Sequence, residues 1–345
     1  MPASRVTLAD VARRAGVSRT TASFVMSDRT DMRISDEARQ RVLAVAEELG
    51  YRPNLTARGL RTTVTRTIGL ISDTIATTQF AGEVIHGALD TALAHDHLLF
   101  VVETSDDPAV EQRLIEGMLD RQVDALVYAT MYTRVATPPP ALDGRRVVLL
   151  NSLDETFDGP RVLPDELAGG RNAAAALVRA GHTDGIYSIG GRHLIPATPD
   201  GAWAGRLRMQ GAEEVLAEAG LELSGTVECA WEAADGYAAV SGLLETGIRP
   251  RALICLTDRL TLGVYQALQQ AGLRIPEDVS VVSFDDSALA SWLRPGLTSV
   301  ALPHYELGKA AVDLLLNGDQ SRAVHRIDMP IRTRQSVAPP AADRS

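Results

Sequence analysis

The sequence predicts an α/β protein with a small helical head at its N-terminus and a larger body of two doubly wound lobes. Helix caps and apolar residues at helical spacing fill the first 50 residues, and beyond residue 66 short apolar runs alternate with amphipathic stretches. The charge divides at the same place, because residues 1–66 carry a net charge of +5 and residues 67–345 carry −15. A basic head on an acidic body suits a head that neutralises phosphates and a body with another task.

The first predicted helix begins at a capping box. The side chains of Thr7 and Asp10 can each accept a hydrogen bond from the backbone N–H group of the other. An apolar stripe follows at helical spacing, formed by Leu8, Val11, Ala12 and Ala15. Gly16 ends the helix, because glycine adopts the left-handed conformation of a tight turn without steric cost.

Two further helices complete the head. Ser18 caps a second helix over about residues 19–26, and Ser35 caps a third helix that stops at Gly50. Two short helices joined by such a turn have helix-turn-helix organisation, in which the first residues of the second helix face DNA base edges. Those residues are Arg19, Thr20, Ser23 and Phe24. Arginine can bond guanine in a bidentate fork, and threonine or phenylalanine can contact thymine methyl groups.

Residues 54–61, NLTARGLR, are predicted to form a short helix that needs a partner. Asn54 can cap it directly after Pro53, but about two turns of helix are marginal in water, and Gly59 costs roughly 1 kcal/mol relative to alanine. We therefore expect this segment to be helical only when it is packed against a partner. The predicted domains are a DNA-binding head over 1–53, a hinge helix and linker over 54–66, and a body over 67–340.

Seven apolar runs in the body predict buried parallel strands: TIGLIS, LLFVVET, ALVYAT, RRVVLLN, GIYSIGG, ALICLTD and VSVVSFDD. So many strands alternating with helices suit two doubly wound lobes better than one sheet. In open sheets of this kind, ligands bind beyond the carboxyl ends of the strands.

Polar residues stand where several of these strands end, and they can converge on one cleft. They are Asp73, Asn151, Asp165, Asp258 and Asp285. Their carboxylate and amide groups can bind sugar hydroxyls, with Arg208 as a hydrogen-bond donor and Phe80 or Trp231 as a stacking surface. Aspartate and asparagine are also common helix caps in such turns, so capping is the alternative role for each.

Several classes of protein are disfavoured by what the sequence lacks. No apolar run is long enough to span a membrane and the first residues do not form a signal peptide, so a cytoplasmic protein is expected rather than a periplasmic sugar-binding protein. No GxSxG, Walker A, HExxH or complete GxGxxG motif indicates an enzyme, and no cofactor is expected. Cys229 and Cys255 have no companions at metal-ligand spacing, so we predict two buried structural thiols and no metal site.

Three stretches of the head resemble a known family. VTLADVARRAGVSRTTAS, VLAVAEELGYRPN and ARGLRT are similar to the LacI/GalR family of bacterial transcription repressors. The resemblance implies that the second helix reads the major groove of a near-palindromic operator, with Arg19, Thr20 and Phe24 at base-reading positions. Phe24 departs from the arginine that is common at its position. Backbone contacts are implied for Thr7, Ser18, Thr21, Ser23, Ser35, Tyr51 and Asn54. Minor-groove contacts of the hinge are implied for Ala57, Arg58 and Leu60, with Leu60 wedged between base pairs.

The body carries the same resemblance. RLRMQGAEEVLAEAGL and LRIPEDVSVVSFDDSALASWLRPGLTSV are similar to the family's periplasmic-binding-protein-like effector domain. This implies an N-lobe of about 67–163 plus 296–324 and a C-lobe of about 164–295 plus 325–340. Effector contacts are implied for Arg208, Trp231, Asp258, Asp285, Asp73, Phe80, Asn151 and Asp165. Thr257 replaces the family's asparagine beside Asp258, and Ser283 replaces a glycine.

The resemblance implies a homodimeric transcription regulator that binds double-stranded operator DNA and a small-molecule effector. A repressor of a sugar-utilisation operon, released by a sugar-like effector, is favoured by the carboxylate-rich cleft. The alternatives are a purine- or nucleoside-responsive regulator, an effector-dependent co-repressor, or an activator. The C-terminal tail has no leucine heptads, so a two-fold dimer is expected rather than a coiled-coil tetramer.

Overall fold

A computed structural model describes residues 6–27, 32–51, 64–78, 82–190 and 203–340 of the chain. The chain divides into two compact units, Met1–Thr65 and Arg66–Ser345. The first unit is helical and the second is built on two β-sheets. None of the helices within these ranges is both long enough and apolar enough to cross a membrane.

The head contains α1 (Leu8–Ala15), α2 (Arg19–Met26) and α3 (Asp36–Glu48). The capping box predicted at the start of α1 is present, because Asp10 N–H donates to Thr7 Oγ1 at 3.3 Å and Thr7 N–H donates to Asp10 Oδ2 at 2.9 Å. Gly16 follows α1 with a φ of 67°, the left-handed conformation that its turn requires. The three helices share one small core, formed by Val11, Ala12, Ala15, Ala22, Val25, Val42 and Ala46.

The body alternates strands and helices as predicted. Its strands are β1 (Thr67–Ser72), β2 (Leu98–Glu103), β3 (Ala125–Arg134), β4 (Val147–Ser152), β5 (Arg161–Pro164), β6 (Ile186–Ile189), β7 (Gly225–Val227), β8 (Ala252–Cys255), β9 (Ser280–Asp285), β10 (Thr298–Ala301), β11 (Val324–Ile327) and β12 (Ile331–Arg332). Its helices are α4 (Gly82–Ala94), α5 (Pro108–Asp120), α6 (Glu166–Ala180), α7 (Ala204–Glu218), α8 (Ala233–Glu245), α9 (Asp258–Gln270), α10 (Ala288–Trp292) and α11 (His304–Asn317).

Two six-stranded sheets define the N-lobe and the C-lobe. The N-lobe sheet has the order β11-β5-β4-β3-β1-β2 and is parallel throughout. The C-lobe sheet has the order β12-β10-β9-β8-β6-β7, and β12 runs antiparallel to β10 at its edge. Every residue of β1 and of β4 is buried, as expected of parallel strands covered on both faces.

Two of the points at which the chain crosses from one lobe to the other lie later in the sequence than predicted. The prediction places residues 296–324 in the N-lobe, yet β10 pairs with β9 in the C-lobe sheet. It places residues 325–340 in the C-lobe, yet β11 pairs with β5 in the N-lobe sheet. The lobe of a four-residue strand is decided by a hydrogen-bonded neighbour that is distant in sequence, so local pattern does not reveal it.

Three helix pairs in the body cross through reciprocal glycines, and one of these crossings positions the candidate site. A Cβ atom at Gly211 of α7 would lie 2.0 Å from the carbonyl oxygen of Leu167 on α6, and a Cβ at Gly170 of α6 would lie 1.9 Å from that of Arg208 on α7. Equivalent contacts join α4 to α11 through Gly87 and Gly308, and α8 to α9 through Gly236 and Gly263. The backbones of α6 and α7 therefore touch directly.

We expect Gly211→Ala to lower the free energy of unfolding by roughly 1–3 kcal/mol, because the added methyl group would force these two helices apart. Gly242→Ala is the matched control, since Gly242 lies in α8 and a methyl group added there would have no neighbouring atom within 4 Å. That substitution should raise stability by up to about 1 kcal/mol through helix propensity. Urea unfolding of the full chain measures both, and equal stability of the two variants would contradict the crossing.

Candidate functional site

The exposed start of α2 is the candidate DNA-reading surface. Arg19 and Thr20 are exposed in the first turn of this helix, and Ser23 and Phe24 are partly buried one turn later. Ser18 caps the helix by accepting a hydrogen bond from Thr21 N–H at 3.0 Å. The cap satisfies a backbone donor at the N-terminal end of the helix, where Arg19 and Thr20 are exposed.

The residues predicted to contact the DNA backbone have structural partners of their own. Thr7 and Ser35 cap α1 and α3, and Thr21 shares a hydrogen bond with the hydroxyl of Ser18 at 2.8 Å. Tyr51 packs against the core of the head. These contacts place the polar groups at helix starts, and their contact with phosphate stays a prediction. The predicted residues Asn54, Ala57, Arg58, Leu60 and Phe80 lie outside the described ranges.

In the body, the candidate effector site is built around a buried ion pair. Arg208 on α7 donates from Nε to Oε2 of Glu166 at 2.6 Å and from Nη2 to Oε1 at 3.3 Å, a bidentate arrangement. Its Nη1 donates to the carbonyl oxygen of Leu256 at 2.6 Å. Glu166 is the first residue of α6, and both charged side chains are 2–3% exposed.

Aromatic rings enclose the guanidinium of Arg208. Its central carbon lies 4.7 Å from the ring centre of Phe284 and 5.7 Å from that of Trp231. The Trp231 indole donates to the carbonyl oxygen of Gly190 at 2.7 Å, and its ring meets Tyr132 of the N-lobe edge to face at 6.1 Å. Trp231 is therefore 3% exposed and contacts Gly190, Tyr132 and Arg208 beside the site.

Asp258 is fully buried beneath this group of residues. It accepts hydrogen bonds from Ser287 N–H at 2.7 Å, from Ser287 Oγ at 3.0 Å and from Ser299 Oγ at 2.8 Å. Burial raises the pKa of its carboxyl to about 6, although these hydrogen bonds oppose the shift. Asp258 thus holds the start of α10 and β10 in place, and its contact with an effector stays a prediction.

Asp285 is a predicted effector contact that lines a cavity. It ends β9 with a φ of 103°, which is strained for a residue other than glycine, and its Oδ1 lies 3.7 Å from Nη1 of Arg208. Burial, together with the carboxylates of Asp258 and Glu166, raises its pKa to about 8 against the opposing influence of Arg208. The next residue, Asp286, is bound instead by Arg334 at 2.6 Å.

A cavity of about 520 Å³ opens beside Asp285 at the junction of the lobes. Its described lining is Glu83, Asp285, Asp286, Ser287, Ala288, Leu289, Trp292, Leu302, His304, Tyr305 and Glu306. Burial and the positive charge of Arg208 lower the pKa of His304 to about 4, so its imidazole is neutral at pH 7. The volume fits a small ligand.

Asp73 and Asn151 lie at the carboxyl edge of the N-lobe sheet. Asp73 accepts from Met131 N–H at 2.9 Å and from Arg134 Nη2 at 3.1 Å, and burial raises its pKa. Asn151 donates to the carbonyl oxygen of Thr130 at 2.9 Å, and its own Oδ1 has no partner within the described part of the chain. A second cavity of about 290 Å³ adjoins Asp73.

Asp165 has the alternative role of a helix cap. Its Oδ1 accepts from Ala168 N–H at 3.1 Å at the start of α6. The neighbouring residue, Glu166, holds Arg208 instead, and it is absent from the residues predicted for the site. An acidic residue in the first turn of a helix is ordinary in sequence, so only the burial of Glu166 reveals its role. In the described ranges, no cluster of three or more His, Cys, Asp or Glu residues is arranged to hold a metal ion.

Both the head and the body of the chain match known protein families. Residues 7–54 match the bacterial regulatory proteins of the lacI family, and residues 174–337 match a periplasmic binding protein-like domain. The ribose operon repressor of Escherichia coli (strain K12) is 31% identical over 337 residues, which cover 96% of each chain. The HTH-type transcriptional repressor PurR of Aliivibrio fischeri (strain MJ11) is 30% identical over 96% of this chain and 98% of PurR.

A solved structure extends this similarity to the fold. The lac repressor dimer bound to operator and the anti-inducer ONPF superposes with a TM-score of 0.80 at 25% identity. The match covers 97% of this chain and 99% of that chain. Head and body therefore both have counterparts in one protein.

We expect Asp285→Asn to gain stability relative to the wild type as the pH rises from 5 to 8. The pKa of Asp285 is raised from 3.8 to about 8, so between these values the folded state binds its proton more tightly than the unfolded state does. The free energy of unfolding therefore falls with rising pH, by at most about 1.4 kcal/mol per pH unit from this one group. Asparagine at position 285 does not titrate, so the variant lacks this decrease in the free energy of unfolding. Urea unfolding of the variant and the wild type at several pH values measures the difference.

Asp154→Asn provides the control for this measurement. Hydrogen bonds from Thr156 hold the pKa of Asp154 below 3.8 despite its burial, so its charge does not change above pH 5. The stability difference between this variant and the wild type should be constant from pH 5 to 8. An equally constant difference for Asp285→Asn would show that Asp285 titrates in its ordinary range.

Proposed function

Because the chain belongs to the LacI family of bacterial regulatory proteins, we propose that it is a sequence-specific transcription repressor controlled by a small effector. The observation that carries the proposal is the exposed start of α2 on a capped helix-turn-helix, in a chain that also has a cavity between two lobes. Members of the family are transcription regulators, and we assign no catalytic role. A repressor acts where the chromosome is, in the cytoplasm.

The DNA target is a near-palindromic operator read by two copies of the head. Arg19 and Thr20 supply the exposed polar groups that major-groove readout needs, and Phe24 supplies an apolar surface for a thymine methyl group. In this proposal, Leu60 contacts the minor groove of the operator and completes the DNA interface. Because Phe24 stands where related repressors commonly have arginine, the preferred operator differs from theirs at the base pair that it contacts.

A homodimer follows from the palindrome and has a supporting feature on the N-lobe. Leu89 and Leu93 of α4 and Leu98 and Phe100 of the neighbouring edge strand β2 are large apolar side chains exposed to solvent. A second copy of the chain would remove these side chains from water. The lac repressor structure that shares the fold is itself a dimer bound to operator.

The proposed effector is a small sugar that enters the cavity at Asp285 and releases the repressor from DNA. Carboxylate oxygens accept hydrogen bonds from sugar hydroxyls, and Trp292 in the lining offers an apolar surface beside them. The relatives include a ribose operon repressor and the HTH-type transcriptional repressor PurR. A purine is the second candidate, and the same cavity would hold it.

We expect Arg19→Ala to weaken the preference for operator over random DNA while leaving non-specific binding. Loss of one bidentate arginine–guanine contact should lower the specificity ratio by roughly ten- to a hundredfold, or about 1–3 kcal/mol. Arg13→Ala is the control, since Arg13 is exposed on α1 and its loss removes the same charge. It should weaken both kinds of DNA equally. Operator selection from a random library, followed by anisotropy titrations, measures both ratios.

We expect operator and effector to weaken each other's binding by the same factor. Thermodynamic linkage requires this equality, and such couplings are typically on the order of 1–3 kcal/mol. Titration of the effector into the free protein and into the operator complex measures the factor, and the reverse titration must reproduce it. Asp285→Ala should lose the response and keep operator affinity. An operator that leaves effector affinity unchanged would refute the proposed control.

A further inference from the structure

We propose that the effector of this regulator carries no negative charge, and that the cleft rejects phosphorylated and carboxylated analogues of it. The inference rests on the proposed function, in which a small molecule enters the cleft between the lobes. It concerns the chemical class of that molecule. Two cavities, the two guanidinium groups beside them and two unpartnered polar groups support it.

The positive charge of Arg208 is already balanced by the buried carboxylate of Glu166, and the Arg208 side chain is 3% exposed. Nε and Nη2 are bound to Glu166, and Nη1 is bound to the carbonyl oxygen of Leu256 with Asp285 beside it at 3.7 Å. A phosphate could bind the Nε and Nη2 edge of this guanidinium only by displacing a bidentate carboxylate that is itself buried. A buried carboxylate that loses its partner is strongly destabilised, so the exchange is unfavourable.

The larger cavity has carboxylates in its lining and no basic side chain to balance them. Among the described residues that line it, Glu83, Asp285, Asp286 and Glu306 are acidic, and no lysine or arginine contributes. Asp286 is balanced by Arg334 behind it, and His304 is uncharged at pH 7. Since the raised pKa of Asp285 keeps it largely protonated at pH 7, Glu83 and Glu306 are the carboxylates of this lining that repel an anion. The anion would also lose its hydration without a compensating partner.

The smaller cavity, of about 290 Å³, repeats this arrangement on the N-lobe. Arg134 lines it, and its Nη2 already bridges Asp73 at 3.1 Å and Asp106 at 3.0 Å. Asp107 and Glu111 add two further carboxylates to the lining. Here too, the charge of the basic group in the described lining is balanced by carboxylates, and acidic groups are in excess.

Neutral polar groups near the cavities have hydrogen-bonding capacity to spare. Ser72 Oγ is buried in the wall of the smaller cavity and has no hydrogen-bond partner in the described part of the chain, and the same is true of Asn151 Oδ1 nearby at the end of β4. A buried hydroxyl or amide oxygen without a partner is costly, and a ligand hydroxyl satisfies it. The cleft therefore suits a polyhydroxylated ligand without acid groups.

Matched pairs of probes test the inference on the full-length protein. They are D-ribose with D-ribose 5-phosphate, D-glucose with D-glucose 6-phosphate, and adenosine with adenosine 5′-monophosphate. A thermal-shift screen finds which pair binds, and calorimetric titration gives both affinities. We expect the neutral member of the binding pair to be preferred by at least a hundredfold. An anionic member that binds within tenfold of its neutral partner would overturn the inference, although an effector-controlled repressor would remain.

Two variants test the cause of the discrimination. Glu166→Gln leaves a similar shape and releases part of the Arg208 guanidinium, and Glu306→Gln removes an exposed carboxylate from the wall of the larger cavity. Each should reduce the preference for the neutral probe at least tenfold. The second variant keeps the test available if the first does not fold. If a folded variant retains the wild-type ratio, these carboxylates do not cause the discrimination and the inference fails.

Glu214→Gln is the matched control for these variants. Glu214 also joins α7 to α6, through Arg171 at 2.5 Å, but this pair is on the surface and away from both cavities. The control should keep the wild-type ratio, and a reduced ratio would point to helix displacement instead of charge. If none of the six probes binds, the proposed effector class is contradicted together with the inference. If an anionic probe binds within tenfold of its neutral partner, the inference alone is contradicted.

Discussion

The ion pair between Glu166 and Arg208 is the constraint on which the body's candidate site depends. It exists because α6 and α7 cross with their backbones in contact, which Gly170 and Gly211 permit. Removing one partner of such a buried pair leaves an uncompensated charge, at a cost of about 3–5 kcal/mol. Replacing both by apolar residues can be neutral for stability. The pair is therefore better explained by what it positions than by what it stabilises, and it positions a guanidinium among Trp231, Phe284 and Asp285.

The end of β3 connects this site to the N-lobe. β3 belongs to the N-lobe sheet, yet its last residues touch both halves of the cleft. The hydroxyl Oγ1 of Thr133 donates to Oε1 of Glu166 at 3.5 Å, and the ring of Tyr132 contacts the ring of Trp231. Nη2 of Arg134 donates to Oδ2 of Asp73 at 3.1 Å. A ligand that moves the groups around Arg208 therefore acts directly on a strand whose other contacts are at the N-lobe cavity. This gives effector binding a contiguous set of contacts through which to change the relation of the lobes.

What the sequence predicted well was local. The capping box of Thr7 and Asp10 and the left-handed Gly16 involve residues a few positions apart, so their spacing is sufficient evidence. Alternation of strands and helices likewise predicted two doubly wound lobes. The lobe of β10 and of β11 was missed because distant strands decide it. Glu166 was missed for a related reason, since its role depends on a helix that begins 38 residues later.

The opposite net charges of the head and the body determine where DNA is attracted to the protein. A head with a net charge of +5 attracts the phosphates of DNA, while a body with −15 repels them, so non-specific attraction is confined to the surface that reads the sequence. The same excess of carboxylates extends into the cleft, where Arg134 and Arg208 are already paired with acidic side chains. Cellular DNA and RNA, like phosphorylated metabolites, present phosphate to the protein. A cleft whose two arginines are paired with carboxylates, on a body of net negative charge, is selective against all of them, and it suits a ligand recognised through its hydroxyl groups.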